Sequence, residues 1–524
     1  MSALSALSTR FVRWLPHLLC AAAVVACAAM MDLKGITTDE GFRLWLINGG
    51  HYLTPGAAPT ATWNEVLTAV NPFAYQPAYY LFQNALMRFA ERQDLAFFRS
   101  VNLVFFALCL WGLLRLSRSW AAWPRAFLVG LFAFNAYLFM HVLQIREYIV
   151  AVAFYIWSTQ LVLALDRRTL NREWADIGCF LGYALLLGVA FYVQTWIVFP
   201  AIGQGAFLLF RRRAQFWRFS AHLAICYLLV FSLTWPYLRD HGQKINVGLW
   251  ERAHVTLSGQ LYQGFKLVLS GHAPGHDWFT TLLPIAWLAL LLGGAWLLFR
   301  RRTRLPADFT TECARQSWLM ILSLALPLAF QIAYYFKVEP LSVWPRYFIV
   351  HYFFLTWLIA LAFRTIHTAS DALLPPARRR AVLLGASALL VVSGVYQLRS
   401  FHRDPYFDTS LTPDSDWRVG TAALAPLLRP GDILFATDFI SRATITFTRP
   451  TTPPPMLLED LAHADTAPIK RLVYLEQDLH RSSTPEHIAQ LQQLGFRQVQ
   501  VSDLPAPDGR GPLPQWRVLV FTRE

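Results

Sequence analysis

The chain has 524 residues, 55% of them hydrophobic and only 15% charged. This composition excludes a soluble enzyme and leaves room for many membrane spans. The net charge of +14 does not argue for a nucleic-acid partner, because the basic residues fall in short clusters between apolar stretches, where they report topology.

Apolar stretches of roughly 17 to 23 residues, enough at 1.5 Å per residue to cross a core of about 30 Å, recur about eleven times. They lie near 11–31, 97–115, 126–143, 148–165, 176–193, 195–210, 219–237, 278–299, 316–336, 347–365 and 381–398. The first reads as an anchor, since only the poor candidate Ala28-Ala29-Met30 resembles a cleavage site. Pro72 to Ala90 is ambiguous between a span and a surface helix. If it lies in the interface, the clusters Arg10/Arg13, Arg115/Arg118/Arg125, Arg167/Arg168/Arg172, Arg211–Arg213 with Arg218, Arg300–Arg302 with Arg304, and Arg378–Arg380 share one face. That face is then the cytoplasmic one. If it spans, every cluster after the first moves outside, so an amphipathic interfacial helix is expected.

The resulting topology places the N-terminus in the cytoplasm and a long outer loop over 32–96. Short outer turns follow near 144–147 and 194, and outer segments at 238–277 and 337–346. Residues 1–398 form the membrane domain, and 399–524 a soluble domain on the outer side. In the latter, apolar runs at Asp432–Ala436, Leu472–Leu475, Val499–Val501 and Trp516–Phe521 read as strands. Glu486–Leu494 reads as a helix stopped by Gly495. The expected fold class is therefore an all-α polytopic membrane protein with a small C-terminal α/β domain. His463, Asp465, His480 and His487 are scattered through that domain and read as solvated surface. The six cysteines show no disulfide framework or zinc spacing. No P-loop and no G-x-G-x-x-G before a helix occurs, which disfavours nucleotide-driven chemistry.

Three polar knots at the outer ends of spans carry the functional reading. The first is Asp39-Glu40, a few residues past the first span. A carboxylate there can accept a proton from an attacking hydroxyl while its neighbour orients it. The same residues also read as a capping box, Thr37-x-x-Glu40, opening an amphipathic helix. The second is His141-Val-Leu-Gln144-Ile-Arg146-Glu147-Tyr148, in a very short turn between spans, where ionisable groups are costly and point to function. Its bland alternative is a surface Arg146–Glu147 ion pair. The third is Lys337-Val-Glu339-Pro-Leu-Ser-Val-Trp344-Pro-Arg346-Tyr347, with a forked donor suited to phosphate at Arg346. Interfacial anchoring by Trp, Tyr and Arg reads it equally well.

Asp39-Glu40, Gln76-Pro77-Ala78-Tyr79-Tyr80-Leu81, Arg99-Ser100, the Arg146/Tyr148 turn and Arg346-Tyr347 occur in this order, which resembles the GT-C membrane glycosyltransferases. The branch resembled most is the protein O-mannosyltransferase-like and aminoarabinose-transferase-like one, over residues 11 to 398. The resemblance implies a transferase in the plasma (inner) membrane of a bacterium, with its C-terminal domain periplasmic. It would take a sugar from an undecaprenyl-type polyprenyl phosphate and pass it to an acceptor hydroxyl on a protein, lipid or glycan. Asp39 would be the general base, supported by Glu40. Gln76, Tyr79, Arg99, Arg146, Glu147, Lys337, Arg346 and Tyr347 would contact the donor phosphate or sugar, and Trp344 would pack on sugar or isoprenoid. Some members of the superfamily use a divalent metal, but this branch implies neither metal nor cofactor. Two positions depart from the pattern. Gln144 stands where many relatives carry an acid, with Glu147 directly after the turn arginine instead, and Gln76 is neutral where relatives are often basic. A lipid or glycan transporter, or a catalytically silent assembly partner, are the competing readings of the same spans.

Overall fold

The computed structural model describes residues 3–33, 38–52, 61–73, 76–92, 94–167, 174–211, 213–241, 256–271, 278–300, 302–337, 345–403, 417–436, 439–448, 455–457, 460–461, 469–477, 484–505 and 512–523. Among these, seven helices are long and apolar enough to cross a membrane. They are α1 (Ala3–Ala29), α5 (Leu95–Leu116), α8 (Tyr148–Arg167), α13 (Trp278–Arg300), α14 (Ala307–Lys337), α15 (Ile349–Leu373) and α16 (Pro376–Arg403). The spans expected near 176–193, 195–210 and 219–237 are helical but shorter in their apolar part. They fall on α9 (Trp174–Val193), α10 (Val198–Arg211) and α11 (Phe216–His241).

The span expected at 126–143 is a pair of helices, α6 (Ala122–Ala133) and α7 (Ala136–Val142), bent by 61°. The break has a side-chain cause. Asn135 caps α7 by accepting the Leu138 N–H at 3.2 Å and donates at 3.1 Å to the carbonyl of Val268 on α12 (Leu257–Ser270), while Gln397 accepts the Ala136 N–H at 2.9 Å. These contacts satisfy backbone groups that a break inside a membrane would otherwise orphan.

Burial sorts the helices into core and rim. The apolar span of α15 is 94% buried, whereas that of α16 is 11% and that of α1 17% buried. Leu185 and Val189 on α9, Leu292 on α13 and Val391 on α16 stay exposed, an apolar belt suited to lipid.

The outer loop carries three further helices, α2 (Thr38–Ile47), α3 (Trp63–Val70) and α4 (Pro77–Ala90). The 14 residues of α4 extend only about 21 Å, too short to cross the core. Pro77 takes the first helical position, where its missing N–H costs nothing. Thr62 and Glu65 form a reciprocal capping box at the start of α3. The Thr62 N–H and hydroxyl, with His51, hold the Glu65 carboxyl down at about 2. This depressed value adds stability above the ordinary carboxylate range that is lost as pH falls through about 2. Amide protection factors in α3, corrected for the intrinsic exchange rate at each pH, are expected to fall across that window in the native chain and to lose the dependence in Glu65→Gln.

The C-terminal region holds α17 (Trp417–Leu424), α18 (Phe439–Thr448), α19 (Thr484–Gln493) and a five-stranded sheet. Its strands are β1 (Ile433–Ala436), β2 (Met456–Leu457), β3 (Arg471–Gln477), β4 (Phe496–Pro505) and β5 (Pro512–Arg523), in the order β2-β1-β3-β5-β4. β1 pairs in parallel with β2 and β3, and β5 pairs antiparallel with β3 and β4. All four expected strands and the expected helix are present, and Gly495 ends α19 at φ +84°, a conformation glycine adopts without Cβ strain. β2, α17 and α18 are additional. His463, Asp465 and His480 lie outside the described residues, and His487 sits on α19.

Candidate functional site

α2 places the acidic pair. Asp39 lies in its first turn, with a side chain outside the described residues, and Glu40 is fully buried. Glu40 Oε1 accepts from Arg99 Nη2 at 3.3 Å and from the Ile145 N–H at 3.2 Å. Arg99, also fully buried, donates its Nη1 to the Met31 carbonyl at 2.5 Å. A buried guanidinium and carboxylate are tolerable only when paired and hydrogen-bonded. Here that requirement locks together the end of the first span, the helix of the acidic pair, the start of α5 and the turn after α7.

A second chain of contacts holds that turn from the other side. Gln83 Nε2 donates to the Tyr79 hydroxyl at 3.0 Å, and that hydroxyl donates to Asn102 Oδ1 at 3.2 Å. Asn102 Nδ2 then donates to the carbonyls of Gln144 and, at 3.3 Å, of Arg146. Burial pushes the Tyr79 hydroxyl well above its ordinary value, and the nearby Glu147 carboxylate raises it further.

The turn residues are not a surface pair. Arg146 is 4% and Glu147 7% exposed, and among the described residues no ion pair joins them. Arg146 Nη1 donates to the Tyr148 hydroxyl at 3.0 Å, with its guanidinium 5.6 Å from that ring. Glu147 keeps one buried oxygen, Oε2, without a hydrogen-bond partner among the described residues. His141 packs edge-on between the rings of Tyr137 and Tyr148, at 4.6 and 4.8 Å.

Gln76 and Tyr347 meet through a third element, the 3-10 turn Thr195–Ile197. Gln76 Nε2 donates to Thr195 Oγ1 at 3.4 Å, and Trp196 stacks on Tyr347 at 5.9 Å. Gln76 precedes Tyr79 by one turn at the start of α4, so this contact adjoins the first network. Lys337 ends α14, and Arg346 sits in the 3-10 turn Pro345–Phe348. Their side chains, and Trp344 altogether, lie outside the described residues. The structure thus brings Glu40, Arg99, Tyr79, Arg146 and Glu147 into one network and Gln76 and Tyr347 into a neighbouring one.

Sequence reasoning missed Asn102 and Arg43. Asn102 follows Arg99 by one helical turn on α5, a spacing that puts both on one face. Arg43 stands one turn after Glu40 on α2, is 3% exposed and donates Nη1 to the Tyr80 hydroxyl. Both signals are present in the i, i+3 pattern of polar residues on otherwise apolar helices. Among the described residues no group of three His, Cys, Asp or Glu side chains is placed to hold a metal ion.

The C-terminal region touches the helix of the acidic pair. A Cβ on Gly41 would stand 1.8 Å from Thr444 Oγ1 and 3.1 Å from Thr444 Cα on α18. Arg442 lies 4.5 Å from the Tyr52 ring, and Arg418 Nη2 donates to the Asp32 carbonyl at 3.2 Å. Gly41→Ala is expected to lower the thermal midpoint by a cost of about 1–3 kcal/mol, with Thr444→Ala in the same chain restoring part of it. An unchanged midpoint in the single variant would rule out the close approach.

No protein-family model and no curated protein sequence matches the chain. Solved structures do. ArnT from Cupriavidus metallidurans bound to undecaprenyl phosphate is 14% identical, with a TM-score of 0.50 over 96% of this chain and 97% of that one. The apo state of the same protein gives 0.49 at the same identity and coverage. The archaeal oligosaccharyltransferase AglB from Archaeoglobus fulgidus, in complex with an inhibitory peptide and a dolichol-phosphate, is 10% identical with a TM-score of 0.44, over 95% of this chain and 74% of that one. At 14% identity the likeness to ArnT is one of fold alone: the chain is a multi-pass helical membrane protein with a small C-terminal sheet, arranged as in ArnT.

Proposed function

We propose that the protein is an integral-membrane glycosyltransferase that moves a sugar from a polyprenyl phosphate to an acceptor hydroxyl. The observation that carries this reading is the buried Glu40–Arg99 pair, which fixes the helix bearing Asp39 against the Arg146–Glu147 turn. The fold is shared with ArnT, whose structure holds undecaprenyl phosphate, and a donor of that class suits a membrane-embedded site.

In this reading Asp39 takes the proton of the acceptor hydroxyl as its oxygen attacks the anomeric carbon. The bond from that carbon to the lipid phosphate oxygen breaks on the opposite side. The phosphate leaves already ionised, so it needs cations more than a proton. Arg146, Lys337 and Arg346 supply that charge stabilisation. Glu40 and Arg99 keep Asp39 oriented, and Tyr79, with Gln83 and Asn102, keeps the arginine turn in place. Gln76 and Tyr347 flank the donor. Chemistry lies on the outer, periplasmic face of the inner membrane, residues 1–398 form the catalytic domain, and 399–524 cover the outer cavity or select the acceptor.

Purified protein incubated with a panel of undecaprenyl-phosphate sugars and membrane-derived acceptors is expected to release undecaprenyl phosphate from one of them. Donor moved across vesicle membranes without cleavage would favour a transporter instead. Absence of both release and movement would leave the transferase reading without support.

A further inference from the structure

A second site lies at the opposite end of the bundle. Arg99 and Arg115 are both on α5, sixteen positions and so about 24 Å apart along the axis. Around Arg115, the C-terminal ends of α5, α8 and α10 and the first turns of α14 enclose a cavity of about 630 Å³. Five guanidiniums line it, those of Arg115, Arg118, Arg167, Arg211 and Arg315, against two carboxylates, Asp308 and Glu312.

The carboxylates do not saturate these arginines. Glu312 accepts from Ser119 at 3.1 Å and Gln316 at 3.0 Å, and pairs with Arg364 at 3.3 Å, a residue outside the cavity lining. Buried Asp166 stands 3.9 Å from Arg211 Nε and 3.6 Å from Arg315 Nη1, distances of ion pairs beyond hydrogen-bond length. Arg315 Nε and Gln160 Oε1 are buried without hydrogen-bond partners among the described residues. Retention of positive charge on one membrane face accounts for arginines that project into solvent. It gives no reason for guanidiniums from four separate segments to converge on one concavity, where they repel one another. Beside them, Leu116, Leu163 and Ala164 form an apolar wall.

We propose that this cavity binds the phosphate of an anionic amphiphile, with arginine forks on the phosphate oxygens and its hydrocarbon along Leu116, Leu163 and Ala164. Arginine matches phosphate geometry through paired N–H donors. The site is independent of the transferase reading, because it shares no residue with the Glu40–Arg99 network.

The test uses the full-length, delipidated protein in neutral detergent, with phosphatidylglycerol, phosphatidylcholine and inorganic phosphate as probes. Arg118→Gln/Arg167→Gln changes two exposed cavity arginines, and Arg300→Gln/Arg380→Gln changes two arginines outside the cavity. Phosphatidylglycerol affinity is expected to fall about tenfold in the first variant and less than about twofold in the second. Phosphatidylglycerol that binds more tightly than inorganic phosphate, with the same arginine dependence, supports the amphiphile; inorganic phosphate that binds with that dependence while phosphatidylglycerol does not overturns it in favour of a soluble phosphate. Equal losses in the two variants, or no binding of either phosphate probe to the native protein, overturn the proposal. Should the double variant melt at a lower temperature, Arg211→Gln provides the same comparison.

Discussion

Asp39→Asn is expected to lower turnover of a polyprenyl-phosphate sugar by about 10²- to 10⁴-fold, the contribution of a positioned general base. Asparagine keeps the size of the side chain and its place in the first turn of α2 but cannot accept the proton of an acceptor hydroxyl. Donor binding should therefore survive while released lipid phosphate disappears. Catalytic exchange should also lose its acidic limb in a pH profile, because the group that must be deprotonated is gone. Turnover within twofold of the native protein would remove Asp39 as the base. Loss of donor binding together with turnover would instead make it a structural residue.

The second large effect is expected at Arg99. With Arg99→Met, the fully buried Glu40 loses its cationic partner. Breaking one side of such a pair typically costs about 3–5 kcal/mol, because an uncompensated charge stays buried. The thermal midpoint should drop sharply. Adding Glu40→Gln should recover much of the loss, since a neutral amide is cheaper to bury and can still accept the Ile145 N–H. A double variant as unstable as the single would mean that the pair is not what holds α2 in place.

Among the described residues, seven of the eleven expected spans are long apolar helices, legible from the sequence because length and apolar composition report the membrane directly. The small sheet was legible because its strands are short apolar runs set off by turns. The bend between α6 and α7 was not, because it depends on Gln397 and on the Val268 carbonyl, far away in sequence. The site was half legible. Glu40 and Arg146 stood out as charges near span ends, yet nothing local showed that the Glu40 carboxylate would reach Arg99 and the Ile145 amide. The capping box expected at Thr37-x-x-Glu40 has Thr37 outside the described residues, and the reciprocal box that is present belongs to Thr62 and Glu65. Local pattern places Asn102 on the face of Arg99 but does not show that it binds two carbonyls of a distant turn.

The contact between Gly41 and Thr444 has a consequence for biogenesis. The two residues are roughly 400 positions apart, and ribosomes add about 5–20 residues per second. The helix of the acidic pair therefore waits on the order of 20–80 s for the segment that packs against it. During that interval α2 lacks its final neighbour, while the intervening spans are still being inserted. Chains terminated before Thr444 never acquire this contact.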